Sequence, residues 1–200
     1  MAEALEAQVD TRDDTHERVL EAARHLFTRR GYFNTSLQDI RRASGLSIGS
    51  IYHHFSGKEA IARELFYATL DQVAADIQAI YAGYSGARER CYQVIRNLFE
   101  TTETAPAVME YVLYFKHREV LPEEKPICAS RPFELIKTII REGMASGEIR
   151  SMDEVMATAA LLGGPVRLVQ LRLEGVIDGP LTERLPETWD CAWRSLAPEE

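Results

Sequence analysis

Between Gly31 and Lys58 the sequence starts and stops a helix twice, and this rhythm constrains the fold more than any other feature. Thr35-Ser36-Leu37-Gln38 has capping-box spacing, with Thr35 as the cap and Gln38 reaching back. Leu37, Ile40 and Ala43 then share one side until Gly45 ends the segment, after roughly two and a half turns. Ser47 opens a second start, Ile48 to Phe55, and Ser56-Gly57-Lys58-Glu59 repeats the capping spacing. Two short helices about a glycine-containing turn are the sequence form of a helix-turn-helix. Upstream, Val19, Leu20, Ala23, Leu26 and Phe27 fall at the spacing of one buried helical face, which Gly31 stops.

The remainder reads as helix as well. After an acidic, frayed lead-in of about ten residues and the segments above, a pattern runs unbroken from Lys58 to about Ala82. Further helices are predicted over 86–104, 105–118, 127–146, 153–176 and 180–196, separated by Gly and Pro breaks. No strict alternation bounded by hairpin turns is visible, so an all-α fold is expected. It divides into a three-helix head on 1–57, ordered from about residue 12, and a helical bundle on 58–200. The longest mostly apolar stretch, Val155 to Val166, is too short and interrupted to span a bilayer. With no basic, apolar leader, the chain is expected in the cytoplasm.

Net charge is −8, which alone argues against a nucleic-acid partner. The sign is unevenly spread, however. Residues 15–58 hold seven Lys/Arg against three acids, while the first fourteen hold five acids and only Arg12. A basic block within an acidic chain is a local electrostatic footprint.

Other chemistries fare worse. Gly45-Leu46-Ser47-Ile48-Gly49 spells the G-x-S-x-G of hydrolase nucleophile elbows, but that motif needs a strand before it and a later acid and histidine. Hydrolase is the second reading, and no enzyme activity is expected. His53 and His54 are adjacent and point apart on a helix, with no H-x-x-x-H or cysteine cluster, so no metal is expected. Cys91, Cys128 and Cys191 lie far apart, which excludes a disulfide scaffold and a zinc ribbon. No cofactor is implied.

On a helical wheel, Ile51, Phe55 and Ile48 form an apolar arc for the core. Gly49, Ser50 and His53 form a small, polar opposite face, with Tyr52 at the boundary. Gly49 within a helix costs roughly 1 kcal/mol relative to alanine, and makes sense where another surface approaches the backbone. The major groove admits a helix only at such close quarters.

The run from Thr35 to Glu59 closely resembles the DNA-binding motif of the tetracycline-repressor (TetR/AcrR) family: a Thr-Ser/Thr helix start, a Gly-hydrophobic-Ser turn, a Tyr-x-His/Tyr-Phe recognition helix, then Lys-Glu. The match covers about residues 15–65. Beyond it the chain resembles the family in length, helical content and a late Gly147-Glu148-Ile149 segment. The resemblance implies a sequence-specific transcriptional regulator, a ligand-released repressor acting as a homodimer on a palindromic operator. By position, Thr35 and Ser36 resemble its phosphate-facing helix start and Gln38 a base contact. Ile48, Gly49, Ser50 and His53 occupy its groove-facing positions, and Tyr52 and Lys58 resemble its phosphate ligands. His54 fits a structural or a phosphate role; Arg41 and Arg42 fit solvated charge or DNA contact.

Two features of the bundle acquire meaning from the resemblance. Val155, Ala159, Leu162 and Val166, continuing to Val169 and Leu173, and Leu185, Trp189 and Ala192 form strips suited to helix packing. They sit where the family places its dimer interface. The stretch 108–117 is apolar nearly all round, hence core or cavity lining. The family's effector cavity selects Met109, Tyr111, Tyr114, Phe115 and His117, with Ile140 and Met144, as residues for a small, largely apolar effector.

Overall fold

The computed structural model describes residues 2–124 and 129–198, with side chains from Asp14 onward. Helices are α1 (Ala2–Arg30), α2 (Leu37–Ser44), α3 (Ile48–His54), α4 (Lys58–Gly83), α5 (Ala87–Thr104), α6 (Pro106–Tyr114), α7 (His117–Val120), α8 (Arg131–Ser146), α9 (Glu154–Leu173) and α10 (Leu185–Arg194), with a 3₁₀ turn at Leu181–Arg184. The fold is all-α. No strand occurs among the described residues.

Helix α1 starts at Ala2 rather than near residue 12. The single helix predicted over 105–118 is two. Phe115 and Lys116 leave the helical path, and the His117 amide donates to the Phe115 carbonyl at 2.8 Å. Cys128, one of the three cysteines, lies outside the described residues.

The chain forms two compact units, residues 1–69 with 110–124, and residues 70–109 with 125–200. This division differs from a boundary at 57/58, and the reason is apolar packing. Val19, Ala23 and Phe27 of α1, Ile40 of α2, and Ile51 with Phe55 beside α3 share one core with Ile61, Ala62 and Leu65 of α4. Tyr111 and Phe115, from and just after α6, complete it: Phe115 lies 6.0 Å from the Phe27 ring and 4.5 Å from Tyr111. A head ending at residue 57 would leave those side chains without partners, and burying each is worth roughly 1.5–3 kcal/mol.

The first unit also has a polar seam. Arg63 of α4 donates to Glu59, Glu123 and Glu124, and the Tyr67 hydroxyl donates to Glu124. The 121–124 segment is thereby tied to the early turns of α4.

In the second unit α5, α8, α9, α10 and the 3₁₀ turn bury Cys91, Ile95, Phe99, Ile139, Ile140, Leu161 and Leu181. The Gly147-Glu148-Ile149 segment has a structural purpose there. Gly147 ends α8 in the left-handed region (φ 81°), and Ile149 is buried. Glu148 accepts from the amides of Ala87 and Arg88 at 3.1 Å each, replacing the side-chain cap that Gly86 cannot supply to α5. Helices α5 and α8 touch at Gly143, where an added Cβ would lie 2.5 Å from Ala87 Cβ and 2.7 Å from Ile149. Glu103 accepts a bidentate pair from Arg172 and a third bond from the Leu181 amide, which together hold its carboxyl below its ordinary range.

Candidate nucleic-acid interface

The geometry of α2 and α3 is set by caps. Ser36, not Thr35, caps α2: its hydroxyl accepts from the Asp39 amide at 3.1 Å, and its own amide donates to Asp39 Oδ2 at 2.9 Å. Hydrogen bonds from the Ser36 hydroxyl and amide, with the Arg42 guanidinium, hold the Asp39 carboxyl down to about 2. Thr35 faces inward and is buried, its hydroxyl donating to the Gly31 carbonyl at 2.9 Å. The expectation that Thr35 presents its side chain to phosphate is therefore corrected. Gln38 is exposed, but it accepts from Arg41 rather than reaching back.

Gly45 closes α2 at φ 69°, a conformation that costs other residues strain, and Arg18 donates to the Ser44 carbonyl beside it. Ser47 then caps α3, accepting from the Ser50 amide at 3.0 Å, and its Oγ lies 2.8 Å from Ser50 Oγ. The G-x-S-x-G serine is thus a cap on a helix-to-helix turn, with no strand before it.

Helix α3 turns Ile51 and Phe55 into the core, leaves Ile48 and Ser50 half-buried, and exposes Gly49, Tyr52 and His53. Tyr52 is 57 % exposed. His54 is half-buried in an aromatic contact with His16, which itself stacks on Phe55 and hydrogen-bonds Glu64 of α4. That cluster fixes the end of α3 against α1 and α4.

Lys58 departs most from expectation. Its ammonium donates to the carbonyls of Tyr32 and Thr35, at 2.8 Å each, and sits 4.0 Å over the Tyr32 ring. Partial burial lowers its pKa. Lys58 locks the turn before α2 onto the start of α4, and its donors are directed at protein carbonyls rather than at phosphate. The groove of about 690 Å³ along the start of α4 is lined by Lys58 and Arg63 as well as by Glu59 and Glu64, so its charges balance. Sequence reasoning missed Phe33, 70 % exposed on the Gly31–Asn34 turn and edge-on to Tyr32. The only signal for it was its place in that Gly-bounded turn.

The other candidate residues divide between the units. Tyr111 and Phe115 are buried in the first unit's core, Tyr114 is exposed there, and His117 stacks on Phe66 of α4. Met109 and Ile140 are buried in the second unit, where Met144 is half-buried. Of the interface strips, Val155 and Ala159 are exposed, and Leu162 and Val166 half-buried, on the outer side of α9. Leu185 and Ala192 are corrected: at 7 % and 5 % exposure they pack into their own unit's core. Trp189 is half-buried between Tyr92 and Trp193. Among the described residues no cluster of three His, Cys, Asp or Glu could hold a metal, and no helix is long and apolar enough to cross a membrane.

Residues 19–65 match the model of the family described as bacterial regulatory proteins, tetR family. The chain is 25% identical over 158 residues to the HTH-type transcriptional regulator YfiR of Bacillus subtilis (strain 168), covering 74% of each. It is 31% identical over 100 residues to the HTH-type transcriptional repressor KstR2 of Rhodococcus jostii (strain RHA1), spanning 50% of this chain and about half (49%) of that one. A solved TetR family transcription regulator from Marinobacter aquaeolei VT8 superposes with a TM-score of 0.81 at 25% identity, covering 96% of this chain and all of that one.

Proposed function

The chain belongs to the tetR family of bacterial regulatory proteins, and from this premise we infer that it is a repressor, bound as a homodimer to a palindromic operator and released by a small, largely apolar molecule. It is a DNA-binding regulator of transcription and not an enzyme. One observation carries the DNA surface: the α2–Gly45–α3 turn is capped at both helix starts while Gly49, Tyr52 and His53 stand exposed. Gly49 lets a groove wall approach the backbone, His53 reaches base edges, and Tyr52 with Ser36 reaches phosphates. Phosphate contacts fix position and base contacts select sequence.

Titration of fluorescent DNA from upstream of the chain's own gene, at several salt concentrations, tests this. The expected result is an affinity that falls with salt and exceeds that for random DNA. Salt-independent, sequence-blind binding would overturn the reading.

Dimerisation is supported by the outward apolar strip of α9, and two-fold symmetry would set half-sites whole helical turns apart. Effector release is supported by the continuity of α4, one helix from the DNA-binding turn to Gly83. A ligand that tilts α4 changes the separation of paired recognition helices. By reciprocity, operator DNA must weaken ligand binding by the same factor.

A further inference from the structure

The turn that precedes α2 leaves a large ring in water. Phe33 is 70 % exposed, yet the backbone that carries it is held at several points. Gly31 takes φ 80° and donates its amide to the Phe27 carbonyl. The Thr35 amide and the Lys58 ammonium both donate to the Tyr32 carbonyl, and Asn34 Nδ2 donates to the Arg30 carbonyl at 3.0 Å. The position of Phe33 is thus built into the turn, and a side chain already held in place loses little freedom when something packs on it.

Beside this ring opens a cleft of about 220 Å³, and every residue lining it belongs to the first unit. Five of those residues are aromatic. Phe27 and Phe115, both buried, form its floor with the half-buried Tyr32; Phe33 and Tyr114, both exposed, form its lips. Tyr32 lies 5.3 Å from the rings of Phe27 and Phe33, and Phe27 lies 6.0 Å from Phe115, so the rings make a connected lining. The donors around it are matched within the chain. Thr28 Oγ1 donates to the Arg24 carbonyl at 2.8 Å, Asn34 is committed as above, and Lys116 pairs with Glu119 at 3.1 Å.

These features select an occupant. A cavity of about 150 Å³ holds benzene, so this cleft has room for one or two fused rings. Aromatic rings attract one another edge to face or offset, beyond what buried area alone supplies. Charge is disfavoured in either sign: a carboxylate gains Lys116 only by meeting Glu119, and an ammonium meets the reverse. An ammonium would also share the Tyr32 ring with Lys58, whose Nζ lies 4.0 Å from its centroid.

We propose that this cleft is a binding site for a small, uncharged, planar aromatic molecule of one or two fused rings, held between Phe33 and Tyr114 over Phe27 and Phe115. One wall is the turn that leads into the Ser36 cap, so the occupant lies against the part of the chain that sets α2. The site needs neither the second unit nor a tilt of α4, and it stands or falls apart from ligand release.

The test titrates the full chain calorimetrically with 2-naphthol, its saturated counterpart decahydro-2-naphthol, and 2-naphthoate. 2-Naphthol should bind about fivefold more tightly than either of the others, the factor expected of ring contacts beyond shared area. With ¹³C-labelled phenylalanine, it should also shift the Phe33 ring resonances. Phe33→Leu keeps an apolar side chain at an exposed position, and should remove the preference for 2-naphthol over the saturated alcohol. Equal binding of that alcohol, tighter binding of 2-naphthoate, absence of 2-naphthol binding, or a preference that Phe33→Leu leaves unchanged would each overturn the proposal. 2-Naphthol that moves the Phe33 resonances while the operator stays bound would uphold the site and place it outside ligand release. Operator release by 2-naphthol with Phe33 unmoved would sink the site and keep ligand release.

Discussion

An ammonium acts on DNA only through the groups it can reach, and Lys58 reaches the carbonyls of Tyr32 and Thr35. Lys58→Ala should therefore cost about 1 kcal/mol of stability through two lost charge-assisted bonds, and should weaken operator binding by loosening the turn before α2. The slope of log affinity against log salt should stay within about half a unit of the parent, because no phosphate contact is lost. A slope shallower by about one would return Lys58 to the phosphates. Charge and position marked this lysine in the sequence, but its partners lie 23 and 26 residues away, where no local pattern reports them. The Thr35 and Ser36 pair failed for a similar reason. Both residue types cap helices, and the choice fell on Ser36 because Gly31 claims the Thr35 hydroxyl.

Periodicity gave α3 and α5 nearly to the residue and placed α8 and α9 with a start or an end several residues too long, and the α3 wheel sorted Ile51 and Phe55 from Gly49 and His53 as observed. It could not sort the strips of α9 and α10. A 4-3-4 spacing marks a packing stripe but not what covers it, and Leu185 and Ala192 proved to be covered by their own unit. The cap of α5 was equally invisible, since Glu148 stands 60 residues from the amide it receives. Glu148→Ala should cost about 1 kcal/mol, typical of a lost helix cap. Its carboxyl is held below its ordinary value chiefly by the Arg88 and Ala87 amides. The contribution is thus complete above the unfolded value of roughly 4.3 and disappears as pH falls through the lower folded one. Melting curves of parent and variant should differ at neutral pH and converge in acid; a gap independent of pH would show that the carboxylate's charge is irrelevant. Gly143→Ala should destabilise by about 1–3 kcal/mol, because its methyl meets Ala87 and Ile149 in a packed core. Unchanged urea unfolding would mean that α5 and α8 can part freely.

For the whole molecule, the apolar outer side of α9 leads to a definite expectation. Leu162→Glu with Val166→Glu should turn a micromolar dimer into a monomer by sedimentation, without loss of helicity, since both side chains are only half-buried within one chain. Persistent dimers would move the interface elsewhere. The division into two units has another outcome. The chain passes between them three times: inside α4, at Thr69 and Leu70; inside α6, at Met109 and Glu110; and after Glu124, so the first two crossings are helical rather than loops. The DNA-binding part is consequently not a detachable module. Residues 1–69 expressed alone lack Tyr111 and Phe115, and should be weaker than the intact unit by roughly 3 kcal/mol or more. A synthetic peptide of residues 106–124, added in trans, should raise the fragment's melting temperature; indifference to it would show that the two rings are dispensable. A graft of this head onto another bundle that ignores the 110–124 segment would carry across the recognition helix and leave behind part of the core on which it stands.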